Sequence, residues 1–273
     1  MAIRHPALQG TPPPPPVPAR CAPARHLYIA MPAYTGEVKV QTTASLVGAG
    51  VALAMCGIEV TFGYQTGNCY LFHSRNQLVT AFMRSKATDL LFWDSDVGAP
   101  AEAVIMLARA ERPYIVAAYP AKVDYPSFPI TFDADEVWSD ADGYVNPYTV
   151  PTGFTRINRA VFEAMPYIPY KDDSEIEWMG YFHNGIRNGR LSGEDTDFAA
   201  KWCSIGGKIH MIPDLTLTHT GPKTWTGNWA DDMRKRRQGE TAFACGRHYP
   251  RTCIFNECRD SGLCRQEQSE AAA

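Results

Sequence analysis

Ala87-Thr88-Asp89-Leu90-Leu91-Phe92-Trp93-Asp94-Ser95-Asp96-Val97-Gly98 is the stretch on which the reading of this chain turns. Leu90 to Trp93 are large and apolar in succession, which predicts a strand buried on both faces, and two carboxylates follow at once. Carboxylates at the carboxyl end of a strand in an α/β sheet stand in the crevice where ligands bind. Two hard oxygen donors there suit a divalent cation, which in turn would clamp the phosphates of a nucleotide-linked substrate. An ionised carboxylate beside so apolar a strand is costly unless something neutralises it. The competing reading makes Asp94 and Asp96 turn and capping residues ahead of a helix at Ala101.

Spelling alone does not single this pair out. The same D-x-D pattern recurs at Asp133/Asp135, Asp140/Asp142 and Asp195/Asp197. The first two of these lie in a polar, turn-rich segment and read as solvated loop charges. Only Asp94/Asp96 ends an apolar strand.

Working outward, the pattern alternates. Strands are expected at Leu27–Met31, Ile58–Gly63, Asp89–Trp93 and Tyr114–Ala118, and helices at Val40–Cys56, His73–Ser85 and Ala101–Ala110. Such alternation predicts a parallel sheet with right-handed crossovers, a nucleotide-binding layer over residues 26–120. Residues 120–190 are rich in Pro, Tyr, Asp and Gly and suggest loops and antiparallel strands around an acceptor pocket. Regularity returns with a helix at Asp195–Cys203 and strands at Lys208–Ile212 and Leu215–Thr218. Residues 1–25, with Pro12 to Pro16, Pro18 and Pro23, read as a polyproline II tail, so the fold is expected to begin at His26.

With 273 residues and 45% hydrophobic content the chain can bury a substantial core. A formal charge of −3 gives no global pull toward nucleic acid, yet Lys223 to Arg265 holds nine Lys/Arg against five acids, leaving −7 for the remainder. No secretory h-region or bilayer-length apolar run is visible; Leu46 to Val60 is interrupted by Gly48, Gly50, Gly57 and Glu59. A cytoplasmic protein without membrane partners is the expectation. Cys21, Cys56, Cys69 and Cys203 are scattered, whereas Cys245, Cys253, Cys258 and Cys264 crowd together around His248. That knot could hold structural zinc, although its spacing matches no tight zinc signature; two disulfides or free thiols would also account for it.

Taken in order, several short motifs resemble the GT-A fold glycosyltransferases. They are Met31-Pro32-Ala33-Tyr34 after the first strand, Ser74-Arg75-Asn76 opening a helix, and Asp94-Ser95-Asp96. Pro151-Thr152-Gly153-Phe154 with Arg156, Gly193-Glu194-Asp195-Thr196-Asp197-Phe198 and Leu217-Thr218-His219-Thr220-Gly221 continue the series. The flavour is that of enzymes from phages and large viruses, including the group associated with TET-type oxygenases and thought to glycosylate 5-hydroxymethylcytosine in DNA.

The resemblance implies an α/β fold with a GT-A (Rossmann-like) mixed sheet flanked by helices over residues 26–221, its acceptor half at 121–221. A small basic, Cys-rich extension at 222–273 would follow. It implies a UDP-sugar donor with manganese or magnesium, Asp94, Asp96 and His219 being the metal ligands. Pro32, Ala33, Tyr34, Arg75, Asn76, Asp94, Ser95 and Lys122 would contact the nucleotide-sugar, with Arg offering a phosphate fork and Asn a pyrimidine-reading edge. Asp195 would be the base and Glu194 its neighbour, although acidic residues also complement the dipole of a helix start.

Arg234-Lys235-Arg236-Arg237, with Trp225, Trp229, Phe243, Tyr249 and Phe255, offers the charge and stacking faces of a DNA-binding segment. Three rival readings stay open, the first being a glycosyltransferase that acts on a glycan or protein acceptor. A nucleotidyltransferase would show a Gly-rich phosphate loop after the first strand, but Met31 to Glu37 holds only Gly36. A non-catalytic DNA-binding module would depend on the tail alone.

Overall fold

The computed structural model describes residues 20–237 apart from 134–136, 138 and 188. The Pro-rich segment before Arg20, the aromatic residues Phe243, Tyr249 and Phe255, and the Cys245/His248/Cys253/Cys258/Cys264 group lie outside the described residues. The elements run β1 (His26–Ala33), α1 (Val40–Met55), β2 (Glu59–Thr66), α2 (Leu71–Arg84), β3 (Asp89–Trp93), β4 (Val97–Gly98), α3 (Ala101–Arg109) and β5 (Tyr114–Ala117). There follow β6 (Phe154–Asn158), α4 (Arg159–Ala164), β7 (Ile168–Lys171), β8 (Glu177–Gly180), β9 (Gly185–Arg187), β10 (Arg190–Ser192) and α5 (Glu194–Ser204). The described chain closes with β11 (His210–Ile212), β12 (Thr216–Thr220), β13 (Thr224–Asn228) and α6 (Trp229–Arg237).

The central sheet has the order β11-β5-β6-β3-β1-β2. β1 pairs parallel with β2 and β3, as the alternation predicts, but β6 runs antiparallel between β3 and β5. The four strands of the first half, β1, β2, β3 and β5, thus run parallel to one another, and β6 from the second half makes the sheet mixed, as the resemblance implies. Strand direction there is set by the long excursion between Ala117 and Phe154, which re-enters the sheet from its other end. Local periodicity carries no record of that path. One apolar layer, with Leu78, Phe82, Phe162 and Phe198, packs under α2, α4 and α5; the other, with Ile29, Leu53, Trp93 and Leu107, packs under α1 and α3.

Burying every side chain of β3 forces Asp89 inside too, and the fold answers with Arg156 from β6, itself wholly buried. The guanidinium also donates to Ala110 O at 2.6 Å and Arg112 O at 2.5 Å, while Asp89 accepts from Asn158 at 3.1 Å and Thr88 at 2.8 Å. Removing one partner leaves a buried charge and bare carbonyls, so Arg156→Met should cost about 3–5 kcal/mol in denaturant unfolding. The double variant with Asp89→Leu should lose less than the two single losses combined.

The described chain runs on past residue 221 without a break in packing. β13 pairs antiparallel with β12 across it, and α6 inserts Trp229 and Met233 into the core. Thr216 to Asn228 is one hairpin, so a cut there would expose both its ladder and that apolar face.

Candidate active site

The loop after β3 is pinned on several sides. Trp93 Nε1 donates to Val97 O at 2.7 Å, Asp94 N–H to Gly153 O at 2.8 Å, and Lys39 N–H to Ser95 O at 2.9 Å. Thr220 N–H donates to Asp96 O at 2.8 Å, because β4 pairs with β12 and sets His219 against Val97. This pairing is what carries a histidine from late in the chain to the Asp94–Asp96 loop. Gly98 permits it: a Cβ there would sit 2.4 Å from Thr218 Oγ1.

The two aspartates have different partners. Asp94 faces the buried Arg75, whose Nη2 lies 3.4 Å from Oδ1 and whose Nε donates to Glu194 Oε1 at 3.2 Å. Arg75 thus ties the β3 loop to the start of α5, with its guanidinium over the Phe92 ring at 5.2 Å. Burial raises the Asp94 pKa, and Asp96 adds to the rise against the opposing pull of Arg75. Asp96 faces outward to Lys122 and to His219 Nε2 at 3.4 Å. Burial alone would raise its pKa, but hydrogen bonds from His219 and Lys122 outweigh that and the net direction is down.

His219 Nδ1 lies 2.9 Å from Pro120 O, a contact only an N–H can make. Pro120 O thereby fixes the ring with Nε2 toward Asp96, the arrangement in which a backbone carbonyl orients a metal-binding histidine. Among the described residues no three His, Cys, Asp or Glu side chains gather as a cation site. Asp96 and His219 form a two-ligand corner, and Asp94 is turned from it to Arg75. The carboxylate–imidazole donor set fits manganese or magnesium, with substrate phosphate oxygens completing the coordination.

Beside this corner opens a cleft of about 360 Å³ lined by Pro32, Tyr34, Asn68, Cys69, Leu71, Ser74, Asp94, Ser95 and Asp96. The expected residues Pro32, Tyr34, Asp94 and Ser95 are there, and Lys122 reaches Asp96. Two residues expected at the nucleotide, Ala33 and Asn76, do not line this cleft. Ala33 is buried in the layer under α1, since alternation along β1 turns it inward. Asn76 is also buried: its amide accepts from Phe182 N–H at 2.8 Å and Tyr181 N–H at 3.0 Å and donates to Phe182 O at 2.9 Å. A side chain spent on both its donor and its acceptor cannot read a pyrimidine. It staples α2 to the segment before β9.

Asp195 stands in the first turn of α5, its Oδ1 accepting from Thr196 N–H at 2.7 Å. Burial raises its pKa and Glu194 adds to the rise, with Arg75 opposing. The sequence reading missed Tyr119 and Gly153. Tyr119 is buried, its ring 5.0 Å from that of His219, and burial together with Asp94 pushes its phenol well up. A Cβ on Gly153 would meet Asp94 Oδ2 and Tyr119 Oη, both at 2.4 Å, so glycine is what lets that carboxylate lie against β6. Gly153 fell within a quoted motif; no sequence signal marked Tyr119, Asn68 or Cys69.

No protein-family model and no curated protein matches the chain. Among solved structures, a glycosyltransferase involved in the glycosylation of the major capsid of PBCV-1 is 12% identical, with a TM-score of 0.30 over 50% of this chain and 61% of that one. GalNAc-T7, solved with UDP, GalNAc and Mn2+, is 11% identical, with a TM-score of 0.39 over 91% of this chain and 57% of that one. This chain thus spans about three fifths of the length of each neighbour. Likeness at that level says nothing about activity, which the geometry of the site has to carry. No helix among the described residues is long and apolar enough to cross a membrane.

Proposed function

We propose that this chain is a metal-dependent glycosyltransferase moving a sugar from a nucleoside-diphosphate sugar, UDP-linked by preference, to a hydroxyl acceptor. The observation that carries the reading is the Asp96–His219 corner, its ring fixed by Pro120 O, at the mouth of a cleft walled by Tyr34, Ser74 and the Asp94 loop. Asp96 and His219 would hold the cation, which on binding neutralises the charge growing on the diphosphate leaving group.

Other roles follow from the geometry. Tyr34, more than half exposed at the cleft, offers a face for the base. Arg75 orients Asp94 and Glu194 together, so a sugar held near Asp94 lies close to the start of α5. Asp195 would take the proton of the attacking hydroxyl into its carboxylate. Lys122, which neutralises Asp96 here, would turn to the diphosphate once Asp96 binds metal.

For the acceptor, 5-hydroxymethylcytosine in DNA is the specific proposal that the sequence resemblance supplies. The described part of the basic segment adds little to it: Arg234 is paired with Asp214 and Asp231, and Trp229 is buried.

Thermal melts with UDP, GDP, CDP and ADP, with and without manganese, test the donor. A ligand at a hundred times its Kd adds about 2.7 kcal/mol, and the shift is expected for UDP with metal. No metal-dependent shift with any diphosphate would sink the transferase reading. Nucleoside mass spectrometry of hydroxymethylcytosine DNA after incubation with UDP-sugars tests the acceptor separately.

A further inference from the structure

We propose that β2 is a self-association edge, at which two copies of this chain pair their β2 strands antiparallel about a two-fold axis and continue the sheet across a dimer. The two edges of the central sheet are unlike. β11 is three residues long and wholly buried in side chain, a blunted edge. β2 has eight residues, Glu59 to Thr66, with no proline and no lysine, and among the described residues it pairs only with β1. Its outer row of backbone donors and acceptors is a template for another strand.

The face beside that row is apolar. Register with Leu27, Ile29 and Met31 places Val60, Phe62 and Tyr64 on the side of the sheet covered by α1 and α3. Yet these three are 36%, 48% and 63% exposed, with the Phe62 and Tyr64 rings 6.1 Å apart. α1 does not reach over them. Its Ser45 flank is held by Ala99 N–H just past β4, and helical spacing puts the small residues Gly50 and Ala54 on the opposite flank. A Cβ at Gly50 would meet nothing within 4 Å. Among the described residues the shelf above Val60, Phe62 and Tyr64 is therefore open and lined without charge.

A second copy fits this shelf. Centred on Phe62, an antiparallel pairing sets Phe62 against Phe62, Val60 against Tyr64, Thr61 against Gly63 and Glu59 against Gln65. That register keeps all the apolar side chains on one face, and the only charge on the strand meets an amide rather than its like. The interface is thus self-complementary, as a two-fold contact requires. A membrane surface fits poorly. Apolar faces that bind lipid are bordered by Lys and Arg, whereas no charged residue lies between Val40 and Ile58 and the next is Glu59. β2 also leads into Asn68 and Cys69 of the cleft wall, so pairing would brace that segment.

Sedimentation velocity of the full chain across the micromolar range tests this. The expected result is a species of twice the chain mass. Phe62→Lys should weaken its dissociation constant by at least about tenfold, with the melting temperature little changed because that side chain is half exposed. Val51→Lys, on the outer face of α1, should leave the dimer intact. If Phe62→Lys does not fold, Tyr64→Glu reads the same contact. A wild-type monomer throughout, association unaffected by a folded variant of either kind, or a monomer that floats with phosphatidylcholine vesicles would each overturn the proposal.

Discussion

Asp96→Asn is expected to abolish the manganese-dependent stabilisation by UDP and to lower transfer at least about a thousandfold. Of the two aspartates in the loop, Asp96 is the one beside His219 Nε2, whereas Asp94 is held by Arg75. Lewis-acid stabilisation of a leaving diphosphate is worth several kcal/mol, and each 1.36 kcal/mol is about tenfold in rate. The asparagine is isosteric and keeps an oxygen toward Lys122, so the loss should not come from unfolding. Below neutral pH the wild-type carboxylate has a second effect. Its pKa is lowered in the folded state, so its contribution to stability is full above the ordinary carboxylate value and fades as pH falls through the folded one. Melts of both proteins from neutral to acid pH should therefore converge. A UDP shift with manganese that survives in Asp96→Asn would remove the metal corner, and the function proposed from it, at once.

Asp195→Asn should lower the rate by about 10²–10⁴, the range for loss of a general base. The pH profile tells this role from a merely structural one. Burial, with Glu194 beside it, raises the Asp195 pKa, so wild-type activity should climb with pH along a limb set above the ordinary carboxylate range. That limb should be missing from the residual activity of the variant. Stability should move the other way. A carboxyl whose folded pKa is raised destabilises the protein above that pKa and is relieved as pH falls through it, so at neutral pH the neutral asparagine should melt no lower than wild type. A slow and stable variant is the signature of a functional carboxylate held at a cost; an unstable variant with an unchanged acid limb would make Asp195 a helix-start residue and nothing more.

What could be read from the sequence differs from residue to residue for physical reasons. The β3 strand and its carboxylates were legible because Leu90 to Trp93 admit one environment, and β3 has the bounds expected of it. Helices α1, α2, α3 and α5 were legible to within two residues at each end because their apolar spacing repeats locally, whereas the six-residue α4 is too short to show such a repeat. Arg75 and Asn76 are adjacent, and both were expected to touch the nucleotide. One helical step turns Arg75 toward Asp94 and Glu194, and Asn76 toward the backbone of Tyr181 and Phe182. Nothing in their identities separates them, since each side chain could satisfy either environment.

By itself the sequence determined the alternating strands and helices of the first half, the later α5, β11 and β12, and that two carboxylates end the most apolar strand. Local periodicity and the cost of exposing or burying each side chain suffice for that. Tertiary structure decided that the antiparallel strand is β6, seated between β3 and β5, that the β4–β12 pairing is what carries His219 to Asp96, and that Asp94 faces Arg75. Those outcomes depend on contacts between residues far apart in the chain, such as Val97 with His219, whose energies no local window contains.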